Sequence, residues 1–149
     1  MAVPSDESLV QGLVHDLLAV VAETSTFFRA TAHACGLSPV EGQVVYDLAA
    51  GPQTVTVLAR RVGVQKSNLT SVVDRLEARS VLTRRAMGSD RRVREVVLTT
   101  EGSDLAHDFV SQLVAGAPVA VRLTRDELSL LRALLTKARA QPTRPARHE

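Results

Sequence analysis

Residues 66–79 carry short polar side chains of a kind that can read base edges. Ser67, Asn68, Thr70 and Ser71 each donate and accept hydrogen bonds close to the backbone. An Asn can bridge adenine N6 and N7, whereas Ser and Thr are less selective. Lys66 and Arg75 suit phosphate contacts, which fix register without reading sequence. The same stretch places Leu69, Val72, Val73 and Leu76 at i, i+3, i+4 and i+7, one stripe of an α-helix. At about 100° per residue, Ser67, Ser71, Asp74 and Ala78 point away from that stripe, flanked by Asn68 and Arg75 on one side and Thr70 on the other. A small, polar outer face of this sort suits a helix in a DNA major groove. An ordinary solvated face is the competing reading. Asp74 could belong to that face or pair with a nearby arginine.

A second group of residues shifts the balance. Stretches 81–85 and 93–98 are rich in β-branched residues and alternate in polarity, as half-buried strands do. Between them, Met87-Gly88-Ser89-Asp90-Arg91-Arg92 is a cluster of turn-forming residues with two arginines. A helix followed by a hairpin with a cationic tip is the layout of a winged helix-turn-helix. In that layout Arg92 inserts into a narrow minor groove, and Arg91 and Arg94 contact phosphates. Arg84 and Arg85, at the start of the wing, are either DNA contacts or structural. Charge follows the same division. Residues 1–59 hold one base (Arg29) against six acids, a net of −5; residues 60–94 hold ten bases against three acids, a net of +7; residues 95–149 hold seven of each. Phosphates neutralised by such a patch release counterions, so binding should weaken steeply with salt. An anionic membrane competes as a partner, but no bulky apolar face adjoins the patch to anchor it.

The segment Asp90-x-Arg92-x-x-x-Val96-x-Leu98-Thr99-x-x-Gly102 resembles the wing signature of the MarR (multiple antibiotic resistance regulator) family. Val64-x-Lys66-Ser67 and Asp74-Arg75-Leu76-Glu77 are similar to that family's recognition helix, and element order and spacing follow the family over nearly the whole chain. Gln65 stands where many relatives have a Ser cap. The resemblance implies that Asp90 positions Arg92 through an ion pair, since a carboxylate facing phosphate would be repelled. It implies a dimeric transcriptional regulator, most often a repressor, whose DNA affinity responds to a small anionic or phenolic compound held between the dimerisation helices and the winged part. Phe28, His33, Tyr46 and Phe109 are the residues offered for that pocket. One branch of the family senses organic hydroperoxides through a cysteine near the start of its first helix. Cys35 lies at the end of this one, where the helix dipole disfavours a thiolate, so a small core residue is the stronger reading than a redox sensor.

The remaining elements serve to position these residues. Ser5 can cap a first helix from about residue 6 to 34, whose apolar residues cover about half the wheel, more than one packing surface needs. Ser38-Pro39-Val40-Glu41 is a capping box that opens a second helix ending before Gly51-Pro52. Thr54 caps a short third helix closed by Gly63, completing the helix-turn-helix with the segment from Lys66. Thr99 or Thr100 opens a fifth helix, Gly116-Ala117-Pro118 breaks it, and Thr124 caps a sixth. The expected architecture is mainly α with a small β-wing in a single 149-residue protomer. A winged helix-turn-helix spans 37–99, dimerisation helices span 5–35 and 100–140, and a frayed tail occupies 141–149. A two-fold dimer would set its recognition helices about 34–36 Å apart, on an imperfect palindrome of double-stranded DNA.

The chain also restricts other functions. No apolar run reaches the roughly 18 residues of a membrane span, and no basic segment opens a secretion signal. A single cysteine forms no intramolecular disulfide and fits the cytoplasm. His15, His33, His107 and His148 form no metal-ligand spacing, and neither a nucleophile elbow nor a phosphate-binding loop is present. An enzyme, a cofactor or a metal is therefore not expected. A winged-helix module that binds protein or RNA remains the alternative from another class; it would lack the steep salt dependence of duplex binding.

Overall fold

The computed structural model of the chain describes residues 6–87 and 90–140, with the side chains of 87, 90–93 and 140 outside that description. The expected Ser5 cap and the expected frayed tail at 141–149 lie outside the described residues. Helix α1 (Asp6–Ala34) ends in Gly36 at φ 69°, and the Leu37 amide donates to the Ala32 carbonyl at 2.9 Å. Helix α2 (Pro39–Ala49) opens on the capping box: the Ser38 amide donates to Glu41 Oε2 at 2.9 Å and the Glu41 amide to Ser38 Oγ at 3.3 Å. Helix α3 (Val55–Val62) is capped by Thr54 and closed by Gly63 at φ 75°. Helix α4 (Lys66–Ala78) follows, with no side-chain cap from Gln65.

Strand β1 (Gln53–Thr54) lies at one edge of a three-stranded antiparallel sheet of order β1-β3-β2, with β2 at Leu82–Met87 and β3 at Asp90–Leu98. The hairpin is longer than the alternation in the sequence suggested, because the backbone of Asp90 to Arg92 is already strand rather than turn. Strand β1 had no signal of its own. Two residues cannot show a period, and Gln53 and Thr54 are recruited by register against Val96 and Glu95. Helices α5 (Thr100–Gly116), α6 (Pro118–Arg122) and α7 (Arg125–Ala140) complete the chain. The five-residue α6 corrects the expectation of a plain break after Gly116: Pro118 stops α5 but is itself a favourable first helical residue.

The core lies where α2, α3, α4, the sheet and α5 converge. Leu37, Val44, Val45, Leu58, Leu69, Val73, Leu76, Leu82, Val96 and Phe109 are fully buried there. Each such side chain contributes on the order of 1.5–3 kcal/mol. The Leu98-Thr99-x-x-Gly102 motif has a packing reason. Thr99 Oγ1 accepts from the Gly102 amide at 3.0 Å, capping α5, and a Cβ at Gly102 would overlap the Val81 carbonyl. Only glycine lets α5 start this close to the strand entry. Helix α1 contributes little to this core, with Thr31 and Ala32 its only buried residues. Among the described residues no helix is long and apolar enough to cross a membrane.

Candidate nucleic-acid interface

Burying Leu69, Val72, Val73 and Leu76 fixes the rotation of α4 and turns its opposite face outward. Lys66, Ser67, Asn68, Ser71, Asp74 and Arg75 are exposed there and Thr70 is half-buried. The Thr70 hydroxyl donates to the Lys66 carbonyl at 2.9 Å and the Ser71 hydroxyl to the Ser67 carbonyl at 3.4 Å. With their protons turned onto the helix, these hydroxyls offer lone pairs outward, which match the amino groups of adenine or cytosine in a major groove. The first turn of α4 carries no acid and no side-chain cap, so its amide groups and Lys66 together favour an anion.

Two ionic clusters hold α4 in place. On one side, Arg84 of β2 reaches Asp74 at 2.6 Å and also pairs with Glu77, whose Oε1 accepts the Arg84 amide at 3.1 Å. Its side chain is only 20% exposed. Burial works against the charge, but the two carboxylates outweigh it and hold the guanidinium more firmly protonated than usual. Arg84 is therefore a strut between α4 and the wing, the structural one of the two roles its sequence position left open. On the other side, Glu41 is 7% exposed and faces Arg75 at 3.5 Å and Arg79 at 3.7 Å. Arg79 also donates to the Gly36 carbonyl at 3.1 Å, at the end of α1. Burial raises the Glu41 carboxyl, yet the Ser38 amide and hydroxyl, Arg75 and Arg79 together bring it below the usual carboxylate range.

On the wing, Arg85 and Glu95 pair across the strands at 3.1 Å, and Arg94 is exposed opposite Ala86. The side chains of Asp90, Arg91 and Arg92 lie outside the described residues. The Asp90–Arg92 ion pair and the two tip contacts expected of Arg91 and Arg92 therefore rest on the sequence.

Residues 37–93 match the model of the MarR family. A curated relative, the uncharacterized HTH-type transcriptional regulator YcgE of Bacillus subtilis, is 31% identical over 117 residues, which is 77% of this chain and 76% of that protein. The chain belongs to the MarR family. It is a DNA-binding transcriptional regulator of the winged-helix type. Its fold is that of Sco3205 from Streptomyces coelicolor, a MarR family regulator solved in complex with DNA (TM-score 0.69, 20% identity, covering 99% of this chain and 97% of that one). It is equally that of NadR solved in complex with 4-hydroxyphenylacetate (TM-score 0.69, 23% identity, 93% and 97%).

Of the four residues offered for an effector pocket, the structure of this MarR-family protein groups Phe28, Tyr46 and Phe109. Phe28 packs edge-on against Phe109 at 5.3 Å and Tyr46 at 6.4 Å. Phe109 is fully buried and belongs to the core. His33 is exposed in the last turn of α1. Two grooves flank the winged part instead, and neither takes in His33, Tyr46 or Phe109. One, of about 580 Å³, lies between the end of α2, the sheet and α5, and includes Arg85 and His107. The other, of about 480 Å³, lies between α1, α2 and the end of α3, and includes Phe28 and Arg29. Cys35 is half-buried against the core, with Gln112 Nε2 donating to its sulfur at 3.6 Å. Sequence reasoning missed the Glu41 cluster. Its arginines lie 34 or more residues from Glu41, which read only as a capping residue.

Proposed function

We propose that this regulator acts as a homodimer in the cytoplasm, represses by occupying an imperfect palindrome, and releases DNA when a small anionic or phenolic compound binds. The observation that carries the dimer is the run of Leu9, Val10, Leu13, Val14, Leu17, Leu18, Val20 and Val21 on α1, each 41–66% exposed. Leu130, Leu134 and Leu135 on α7 are likewise 43–62% exposed. That much apolar surface on two helices at the chain's ends calls for a partner, and a second copy supplies the same helices under two-fold symmetry. Residues 5–35 and 100–140 are then the dimerisation helices around the winged part at 37–99.

In the dimer each α4 enters a major groove, with Ser67, Asn68, Thr70 and Ser71 at base edges and Lys66 and Arg75 on phosphates. Each wing follows the backbone with Arg91 and Arg94 and places Arg92 in the minor groove, aimed by Asp90. NadR was solved with a phenolic acid, which supports a ligand of that kind. Such a ligand shifts the equilibrium only by binding the non-reading state better, because equal affinity changes nothing.

The test is duplex affinity as a function of salt for wild type and Arg92→Ala. Loss of one such cation should weaken binding about tenfold and make the salt slope shallower by about one, with the dimer intact. Unchanged affinity would remove the wing from the interface.

A further inference from the structure

Arg79 is one of the ten bases in residues 60–94, yet its contacts are with protein groups. It stands at the C-cap of α4, where three helix ends meet: the end of α1, the start of α2 and the end of α4 itself. Its Nη2 donates to the Gly36 carbonyl at 3.1 Å, just past α1, and its Nη1 lies 3.7 Å from Glu41 Oε2. A helix C-terminus is the negative end of the helix dipole, so a cation is favoured there. The Ser38 amide holds the same Glu41 oxygen at 2.9 Å, which gives Arg79 a fixed counter-charge. The Arg84 cluster ties α4 to β2 and stays within the winged part. The Arg79 contacts leave it and reach the end of α1.

We infer that Arg79 is a positioning residue: it pins the far end of the reading helix to the end of the dimerisation helix, and so sets the distance between the two α4 helices of the dimer. The pin is at the right end for leverage. The residues offered to base edges, Ser67 to Ser71, lie in the first half of α4, whereas Arg79 follows its last residue. Thirteen residues make α4 about 20 Å long. A tilt of about 5° about the pinned end carries the reading end about 1.7 Å, and a two-fold axis makes that up to about 3.5 Å between the two heads. That is on the order of one base-pair step, so a loose pin costs the match to half-sites at fixed spacing. Helices α2 and α5 already pack on α1, and Arg79 extends that attachment to α4.

This role rests on the homodimer reading above, and the experiment separates the two. The full chain carries nitroxide labels at Ser71→Cys in a Cys35→Ser background, and pulsed electron spin resonance reads the distance between the two α4 helices of the free protein. With Arg79 intact, one narrow distance is expected; Arg79→Gln should shift or widen it by about 3 Å. Arg79→Lys, which keeps the charge but lacks the fork, should fall between. The Arg79 side chain is 44% exposed, so Arg79→Gln should stay folded, with its unfolding midpoint within a few degrees of wild type. In the unlabelled chain, Arg79→Gln should bind a palindromic duplex selected by wild type about 3- to 10-fold more weakly, at an unchanged salt slope. An identical distance distribution in Arg79→Gln overturns the pin and leaves the dimer standing. So does a salt slope shallower by about one, which would make Arg79 a phosphate contact. Labels that show no coupling with Arg79 intact overturn the homodimer reading, and the pin with it.

Discussion

The winged part and the two terminal helices bury their apolar residues in opposite ways. In the winged part, Leu58, Leu69, Leu76 and Val96 are fully buried within one protomer. On α1, Leu9 is 64% exposed and Leu18 is 66% exposed, although the sequence there is just as apolar. The contrast separates what a chain must do alone from what it needs a partner to do. The reading head buries its apolar side chains in a core made within one protomer. The outer helices hold apolar surface that only another surface can cover, so their state should depend on protein concentration.

The sharpest way to break the contrast is a matched pair of truncations. Leu69→Ala, in the head, should cost about 2–5 kcal/mol of stability in chemical unfolding at any protein concentration. Leu18→Ala, on α1, should cost little in dilute protein, and its penalty should grow as concentration rises. Equal penalties at all concentrations would mean α1 is not an interface.

The next effect in size concerns the strut between the two reading elements. Arg84→Met should destabilise by about 1–3 kcal/mol, because Asp74 and Glu77 are left facing each other without their cation. Duplex affinity should fall with the salt slope unchanged, since no phosphate contact is lost. A shallower slope, of the kind expected from Arg94→Ala, would return Arg84 to the DNA surface.

Glu41 supplies a pH dependence. Its carboxyl is held below the ordinary range, so its contribution is present above the unfolded carboxylate value of about 4.3 and is lost as pH falls through the lower folded value. Glu41→Gln should reduce stability by about 1–2 kcal/mol at neutral pH and flatten the acid limb of the stability profile. An identical acid limb in the variant would remove Glu41 as its source. The smallest expected effect is a gain. Ser80 has φ 59°, the left-handed region that favours glycine, so Ser80→Gly should add about 0.5–1 kcal/mol, read as a higher Tm.

What the sequence made legible follows from the range of the interactions involved. The capping box at Ser38 and Glu41, the Gly63 turn and the α4 stripe are local, set within a few residues, and the structure has them where the spacing puts them. The missing Gln65 cap was also readable, because one residue decides it. Strand β1 and the Glu41 cluster were not readable, and of the Arg84 cluster only the pairing of Asp74 with a nearby arginine was. Each depends on a partner brought close only by tertiary packing, such as Glu41 with Arg75 or Gln53 with Val96. Arg84 shows the limit most clearly: in sequence it is one of ten bases in a cationic stretch, and only the nearness of Asp74 and Glu77 turns it inward. Phe109 is a similar case, since it carries no local mark separating a core ring from a pocket ring.

The most direct test of a self-sufficient head joined to partner-seeking helices is the mass of the complex with a palindromic duplex, measured by sedimentation over a range of protein and salt concentrations. The account predicts two chains per duplex, a free protein that is already dimeric, and affinity that falls steeply as salt rises. A free monomer that binds one chain per duplex with affinity indifferent to salt would contradict it.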